Sequence, residues 1–491
     1  MYDSSPRFDL GKATIHGAAW KYLTFFSGKA MILVSTILLA RLLLKDDFGL
    51  VGYAVTAINF LDIIRDLGIG PAVVYHSEDD RTPTTAFWIG LLFGLVLLGV
   101  AWVLAPFIGA YFRDPRVVPV IRALAFTFPI SSLGNTHASV LSKKLAFGRS
   151  VLPDLLMALT KGVTSIGFAY FGFGAWSLVW GQISGSLISS LTLWFVTPWH
   201  PTFFFDLKIA RSLINFGVNI VGMDLLSVLL LNLDYLLVGR YLGSEALGAY
   251  TLAFRLPDLV ILMFARIIGS VIFPVFTHMR DVPGSLGKGF TLVARYVSLI
   301  TIPMGLGLAL VARPLTLTLF TDKWSDTIPA LQGIALYGMF LSLVYNAGDA
   351  YKADGRPQII TWLGLAQLIL LFPALWWAVI YAKSIAAVGW MQAAVAFISV
   401  VLNLYIASRM LDISISNLVN AFKPAIMAGA LMSIMVAMIL FASSNLPSWQ
   451  QLALGVISGG LTYGLALWIL QRQVVLEIVF RMRSAVTVSS G

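Results

Sequence analysis

The sequence predicts an all-α, polytopic membrane protein with about fourteen transmembrane helices. The chain is a series of apolar stretches, each close to the roughly 20 residues that a helix needs to cross a bilayer. Its composition is 58% hydrophobic and only 11% charged, which is too little charge for the surface of a water-soluble protein. No break between stretches is long enough for a soluble domain, so any functional site is expected inside the helical bundle or at its faces.

Short polar segments separate the fourteen predicted spans. The spans cover residues 16–40, 48–69, 84–110, 117–141, 150–171, 173–197, 210–238, 246–275, 289–311, 328–350, 358–381, 385–407, 424–442 and 450–471.

An internal repeat divides the chain into two similar halves. Arg41 and Gly49, at the first outer turn, recur 199 residues later as Arg240 and Gly248. The repeated unit contains six spans. Because six is even, both copies enter the membrane in the same direction, and we expect two lobes related by a pseudo-twofold axis along the membrane normal.

This repeat predicts three segments. Residues 1–200 form an N-terminal six-helix lobe, residues 201–411 form a C-terminal six-helix lobe, and residues 412–491 form a helix pair with a cytoplasmic tail. A parallel repeat with proline-bearing helices is typical of transporters, whose substrate site lies between the lobes near the middle of the membrane.

The distribution of cations predicts the orientation. Loops on the side of both termini hold about twice as many Lys and Arg as the opposite loops, for example Arg7, Lys143 and Arg356 against Arg113 and Arg240. The positive-inside rule therefore places both termini in the cytoplasm. This sorting also explains the net charge of +10 without a nucleic-acid partner.

Charged residues inside the spans are the candidate site, because each costs roughly 2.5 to 3.5 kcal/mol at the membrane centre on insertion scales. They concentrate in spans one, two, seven and eight, which are equivalent under the repeat. The candidate substrate-binding cations are Lys21, Lys29, Arg65, Arg255 and Arg266. The accompanying cavity acids are Asp62, Asp66, Asp224, Asp234 and Asp258.

We interpret these charges as a polar cavity for an anion, phosphate above all, since Arg presents a planar fork to it. Two alternatives stay open. Lys21 and Asp234 lie near span ends and can snorkel to the interface. Arg65 can pair locally, either with Asp62 at the i,i+3 spacing of helical neighbours or with the adjacent Asp66.

Catalytic and metal-binding patterns are absent from the sequence. There is no cysteine, no Walker A phosphate loop and no histidine spacing typical of a metal site. Asp46 and Asp47 resemble a metal-binding acidic pair, but they directly precede the second span and are expected to cap its helix. The sequence therefore predicts no enzyme activity, no metal and no cofactor.

The last two spans lie outside the repeat, and residues 424–471 carry no charge. Gly455 and Gly459, and again Gly460 and Gly464, have the spacing that lets another helix approach the backbone closely. Helix packing explains these glycines; a groove for a lipid tail is the alternative.

Two segments resemble a known family. The run from Ala40 to Gly52 (ARLLLKDDFGLVG), followed by Asp66 to Val74 (DLGIGPAVV), is similar to the N-terminal motif of oligosaccharide flippases. These form the polysaccharide transporter branch of the multidrug/oligosaccharidyl-lipid/polysaccharide exporter superfamily. Ala353 to Pro357 (ADGRP) resembles that family's second-lobe cytoplasmic turn.

The resemblance implies a flippase of the lipopolysaccharide and exopolysaccharide exporter branch. Such a protein moves an undecaprenyl-pyrophosphate-linked oligosaccharide repeat unit across the bacterial inner membrane by alternating access of its lobes. The implied partners are the lipid-linked oligosaccharide and membrane lipids. The protein is expected to be a monomer that works beside the polysaccharide synthesis machinery. Two other functions stay open: a drug or cation antiporter of the same superfamily, and a membrane-embedded polymerase or glycosyltransferase.

Overall fold

The computed structural model describes residues 28–66, 81–144, 146–280, 282 and 284–470. Every regular element in these residues is helical, and no strand occurs among them. Lipid offers no hydrogen-bond partners, so a spanning segment must satisfy its own backbone, as a helix does. The predicted all-α class is confirmed.

The helices are numbered here in chain order. They are α1 (28–42), α2 (Lys45–Asp66), α3 (Arg81–Phe112), α4 (Val117–Leu124), α5 (Thr127–Lys143), α6 (Phe147–Tyr170), α7 (Ala175–Val196), α8 (Leu207–Leu242), α9 (Ser244–Pro257), a π-helix (Asp258–Leu262), α10 (Met263–Met279), α11 (Ser285–Leu310), α12 (Ala312–Leu319), a 3₁₀ helix (Asp322–Thr327), α13 (Ile328–Ala353), α14 (Gln358–Ile380), α15 (Ile385–Met410), α16 (Ile415–Ala442) and α17 (Ser448–Leu470).

Within the described residues, 12 helical segments are long and apolar enough to cross a membrane. The pair α4 and α5 counts as one such segment, and so does the run from α9 through the π-helix to α10. Helices α1 and α2 are not among the 12, so fourteen spans remain a prediction. The protein is a multi-pass membrane protein.

Side-chain caps explain several helix starts. Asp206 accepts the backbone N–H groups of Lys208 and Ile209 at 2.7 and 3.4 Å at the start of α8. Ser384 caps α15 in the same way, and Ser414 caps α16. Each cap satisfies backbone donors that the first helical turn leaves without an intrahelical partner.

The helix that contains the thirteenth predicted span begins more than two turns before that span. The span is predicted to begin at residue 424, whereas α16 begins at Ile415. Lys423 is exposed and lies inside the helix. The cap at Ser414 allows the helix to begin before the apolar segment does, so α16 has a polar first part and an apolar second part.

Pro257 marks a change of helix type. It ends α9, and the next five residues, Asp258–Leu262, form a π-helix before α10 begins. Proline lacks the N–H that an α-helix needs and clashes with the preceding turn, so a widened turn beside it accommodates the mismatch. Pro274, Pro303 and Pro373 lie inside continuous helices.

The chain divides into two compact units, residues 1–248 and residues 249–491. In the first unit, α6 packs against α7 and α3 packs against α5. In the second unit, α13 is the central helix. Of the residues in its most apolar segment, 67% are buried, compared with 17% for α17. The two six-helix lobes that the sequence repeat predicts remain a proposal.

Candidate functional site

The structure describes seven of the ten predicted site side chains. Lys21 lies outside the described residues, and so do the side chains of Asp66 and Asp224. The first unit contains Lys29, Asp62, Arg65 and Asp234, and the second contains Arg255, Asp258 and Arg266.

Arg65 is paired with an acid of its own helix. Its Nε lies 3.1 Å from Oδ1 of Asp62, and its Nη2 donates to Oδ2 at 3.3 Å. The Arg65 side chain is only 17% exposed, whereas Asp62 is 42% exposed. Because the residues are three apart on α2, the pair forms without help from another helix. Lys29, on α1, is half-buried.

Asp234 is buried, with 1% of its surface exposed, so it does not snorkel to open water. One carboxylate oxygen accepts the backbone N–H of Tyr235 at 2.9 Å. Asn232 lies half a turn before Asp234 on α8. The side-chain amide of Asn59 on α2 donates to the side-chain oxygen of Asn232 at 3.3 Å. The α2–α8 contact is therefore polar as well as apolar.

The second unit contains a similar arginine–aspartate pair. Nη2 of Arg266 donates to Oδ1 of Asp258 at 2.7 Å. These residues are eight apart, and the pair spans the π-helix. Helical side chains lean toward the helix N-terminus, and the long arginine reaches back along the widened turn. Arg255 lies less than one turn before Asp258 and is half-buried.

The pair in the second unit leaves part of the Arg266 guanidinium available. A guanidinium has five N–H donors, and the Arg266 pair is made through Nη2 alone. The Arg266 side chain is 50% exposed. A second anion, such as a phosphate, can bind the remaining donors while the aspartate orients the arginine.

Several charged residues inside the predicted spans are not among the predicted site residues, and two of them are Lys161 and Asp349. Lys161, in α6, donates to the side-chain oxygen of Gln182 in α7. Asp349, in α13, lies 3.5 Å from Lys352. Both could have been found by the same insertion-cost argument, since each interrupts an apolar segment.

Asp349 also lies beside the helix that carries Arg266. A Cβ atom on Gly269 of α10 would lie 3.1 Å from Oδ2 of Asp349 and 3.1 Å from the ring of Tyr345. The absence of a side chain at Gly269 lets these two polar groups approach α10 one turn from Arg266. The polar groups of the second unit therefore extend from the π-helix to α13.

A second polar cluster lies where α2 and α9 begin, and we call Asp46, Asp114, Arg116 and Ser244 the Asp46 cluster. The Arg116 guanidinium binds both carboxylates in bidentate fashion, at 2.7 and 3.0 Å to Asp46 and at 2.7 to 3.2 Å to Asp114. The Ser244 hydroxyl donates to Asp46.

Asp46 therefore has a different role from the predicted cap. The hydrogen bonds from Arg116, with a smaller contribution from Ser244, hold the pKa of Asp46 below its usual value, although burial acts in the opposite direction. Asp47 performs the capping instead, since it accepts the backbone N–H of Leu44 at 2.9 Å.

Two glycines allow the starts of α2 and α9 to meet backbone to backbone. A Cβ on Gly49 would overlap the carbonyl group of Ser244, and a Cβ on Gly248 would overlap the carbonyl group of Lys45. Nearby, the Tyr53 hydroxyl donates to the carbonyl of Gly239 at 3.1 Å, and its ring stacks on Phe112 at 4.3 Å. The repeated glycines of the sequence therefore mark a close helix contact.

The glycine pairs of the last helix differ in their surroundings. Cβ atoms on Gly455 and Gly459 would lie 3.1 Å from Val311, between α11 and α12, and from Val436 of α16, so this pair serves helix packing. Nothing lies within 4 Å of the corresponding positions on Gly460 and Gly464. The second pair faces open space on an apolar helix surface.

The fold defines the class of protein. Its helical arrangement is similar to that of a solved lipid II flippase MurJ in an inward closed conformation, with a TM-score of 0.76 and 14% identity, over 93% of this chain and 99% of that chain. It is also similar to an inward-facing multidrug resistance transporter of the MATE family, with a TM-score of 0.64 and 16% identity, over 78% and 94% of the two chains. The protein has the MurJ/MATE-like fold.

Residues 38–329 match the model of a family described as polysaccharide biosynthesis protein, and the chain belongs to that family. It is 26% identical to the teichuronic acid biosynthesis protein TuaB of Bacillus subtilis, over 92% of this chain and 94% of the relative. It is 25% identical to the lipopolysaccharide biosynthesis protein WzxC of Escherichia coli, over 74% and 75% of the two chains.

The glycine contact predicts a stability effect. Gly49→Ala and Gly248→Ala each place a methyl group on a carbonyl, and overpacking of this kind costs about 1 to 3 kcal/mol. We expect both variants to unfold at lower temperature than the wild type in detergent. Gly99→Ala is the control, because nothing lies within 4 Å of its Cβ position. An unchanged unfolding midpoint in both test variants would contradict the close contact.

The Asp46 cluster predicts a pH effect. Since the pKa of Asp46 is lowered in the folded protein, its contribution to stability is present above the unfolded value and is lost as the pH falls through the folded value. Asp46→Asn is therefore expected to lower the unfolding midpoint between pH 5 and 8, and this difference from wild type should shrink below about pH 4. A difference that grows on acidification would contradict the pairing with Arg116.

Proposed function

We propose that this protein flips a lipid-linked oligosaccharide repeat unit across the bacterial cytoplasmic membrane for the synthesis of a surface polysaccharide. The observation that carries the proposal is similarity along nearly the whole chain to a teichuronic acid biosynthesis protein, combined with the fold of a lipid II flippase. We further propose that both termini lie in the cytoplasm and that the protein transports its substrate without chemical catalysis.

The substrate in this proposal is an oligosaccharide on an undecaprenyl pyrophosphate carrier. Each unit supplies one arginine–aspartate pair as a candidate contact for its pyrophosphate, Arg65 with Asp62 in the first unit and Arg266 with Asp258 in the second. Lys21, Lys29 and Arg255 are the further candidate cations. A bidentate guanidinium–phosphate contact is stronger than a neutral hydrogen bond, and the aspartates keep the arginines oriented between substrates.

Alternating access requires that the end of the molecule at the Asp46 cluster open and close. The contacts there suit this role. The Gly49–Gly248 backbone contact excludes side chains from the crossing, and the Arg116 side chain is 56% exposed, so water can replace its bonds when the helix ends separate. Surface ion pairs of this kind are each worth about 1 kcal/mol or less, which allows a reversible closure.

A disulfide provides a direct test of this motion. The side chains of Asp46 and Ser244 are in hydrogen-bond contact, and the chain has no natural cysteine. We expect Asp46→Cys with Ser244→Cys to cross-link on oxidation and to block polysaccharide export, and we expect a reductant to restore it. Each single variant is the control. Full export by a fully cross-linked protein would exclude opening at this end.

The arginine variants test the pyrophosphate contact. Arg65→Ala and Arg266→Ala each remove a charge-assisted contact worth roughly 1.5 to 3 kcal/mol, or about ten- to a hundredfold in affinity. We expect strongly reduced export of surface polysaccharide by a strain that lacks the native gene, and partial export by the Arg→Lys variants, which retain charge but lose the fork. Arg409→Ala is the control, since Arg409 contacts the ring of Tyr405.

A drug or cation antiporter is the second candidate, because Asp234 is a buried carboxylate and a MATE transporter shares the fold. The same strain separates the two functions. Cation exchange depends on carboxylates. If the protein were an antiporter, Asp234→Asn would remove its transport activity, whereas Arg266→Ala would not. The flippase proposal expects Arg266→Ala to be the more damaging change. Full export by both arginine-to-alanine variants would refute the proposed contact.

A further inference from the structure

A groove in the second unit has the composition of a lipid-phosphate site. It has a volume of about 570 Å³ and lies between the beginning of α11, the α15–α16 turn and the beginning of α16. Its charged and amide lining residues are Lys288, Arg295, Asp412, Asn417 and Asn420. The volume is within the range of small-molecule sites, about 300 to 1,000 Å³.

The two cations lie on one face of α11. Lys288 and Arg295 are seven residues apart, which is about two helical turns or roughly 10 Å along the axis. Helical side chains lean toward the N-terminus, so the long Arg295 side chain extends toward Lys288 and the open end of the groove. Lys288 is exposed, and Arg295 is half-buried. One anion in the groove can therefore contact both cations, Lys288 near the surface and Arg295 deeper in the protein.

The opposite wall supplies neutral donors. Asn417 and Asn420 are exposed residues of α16, and amide groups donate hydrogen bonds to phosphate oxygens. Ser414 caps the helix by accepting the backbone N–H of Asn417 at 3.2 Å. The cap fixes the first turn of α16, so the position of this wall is set before a ligand binds.

The base of the groove is rigid. Gly287 lies so close to the α15–α16 turn that a Cβ atom there would lie 2.6 Å from the carbonyl oxygen of Leu411. Leu286, Leu411, Ile413 and Leu418 form part of one buried cluster beneath the groove. A groove that is built on a packed cluster is preformed, which lowers the entropic cost of binding.

Exposed apolar side chains lie in and beside the groove. Leu292, between the two cations on α11, has 48% of its surface exposed. On α16, Val419 is 58% exposed and Ile415 is 55% exposed. A ligand whose anionic head binds Lys288 and Arg295 can therefore place an acyl or polyprenyl chain against these apolar side chains.

We infer that this groove binds the phosphate group of a membrane lipid. In the orientation proposed above, on which this step rests, the groove lies at the cytoplasmic surface, where basic sites between helices bind anionic headgroups. The site belongs to the second unit alone, and its residues are not among the predicted transport residues. The lipid is either a bulk anionic phospholipid or the polyprenyl phosphate carrier, which present the same phosphate chemistry.

Asp412 is expected to affect lipid binding in the opposite direction to the two cations. This exposed acid lines the groove and repels a phosphate, while Lys288 and Arg295 attract it. Removal of the acid is expected to strengthen lipid binding, and removal of either cation is expected to weaken it. Damage to the fold would weaken binding in every case, so opposite effects from one groove identify electrostatic recognition.

The experiment measures lipid bound to the full-length protein by native mass spectrometry in a neutral detergent. The probes are phosphatidylglycerol, polyprenyl phosphate and the zwitterionic phosphatidylcholine. We expect Lys288→Gln to weaken phosphatidylglycerol or polyprenyl phosphate binding roughly fivefold, Arg295→Gln roughly tenfold, and Asp412→Asn to strengthen it. Lys423→Gln is the control, because Lys423 is an exposed cation of α16 outside the groove.

The two probes separate the sources. Loss of phosphatidylglycerol in the groove variants identifies a membrane phospholipid, whereas a loss confined to polyprenyl phosphate identifies the carrier. Both results support a lipid-phosphate site. Equal binding of both anionic probes by wild type, Lys288→Gln and Arg295→Gln would overturn it, as would a loss in Lys423→Gln as large as in the groove variants. If Arg295→Gln does not fold, the exposed Lys288 still decides the result.

Discussion

The cost of a charge in a membrane is the constraint on which the candidate site depends, and the chain meets it within single helical runs. Arg65 pairs with Asp62 three residues earlier on α2, and Arg266 pairs with Asp258 across the π-helix. Insertion penalties of roughly 2.5 to 3.5 kcal/mol per charge are reduced by a partner that is always near. Because each pair is local, each unit stabilises its own arginine, whatever the arrangement of the other unit.

A local pair also suits repeated binding and release of an anion. An arginine without an acid would hold a phosphate tightly but would be costly to leave empty, since a buried unpaired charge destabilises the protein strongly. With Asp258 beside it, Arg266 is stabilised when no substrate is bound and still has donors available. The net gain on binding phosphate is smaller than for a bare arginine, which favours release on the other side of the membrane.

Sequence patterns predicted the long apolar helices and offered a local pair of Arg65 with Asp62 as one alternative, because hydropathy and helical spacing act over short distances. They did not predict the Asp258–Arg266 pair, since a spacing of eight residues is not a helical neighbour relation and depends on the π-helix after Pro257. Asp46 was predicted to be a helix cap because it precedes an apolar segment. Its actual partner, Arg116, is 70 residues away, and such a tertiary contact leaves no local pattern in the sequence. The contact between α10 and Asp349 likewise follows from helix packing and not from any local pattern.

The two kinds of cation in this protein differ in how they meet the solvation cost, and this difference matches the different roles that we propose for them. Arg65 and Arg266 sit in apolar runs and rely on an aspartate of the same run. Lys288 is exposed near the start of α11, Arg295 is half-buried two turns later, and both line an open groove that a lipid headgroup could enter. A paired cation can exchange ligands during transport without a large change in energy. A cation in an open groove gains most from a ligand that remains, and a lipid phosphate fixed at the membrane surface is such a ligand.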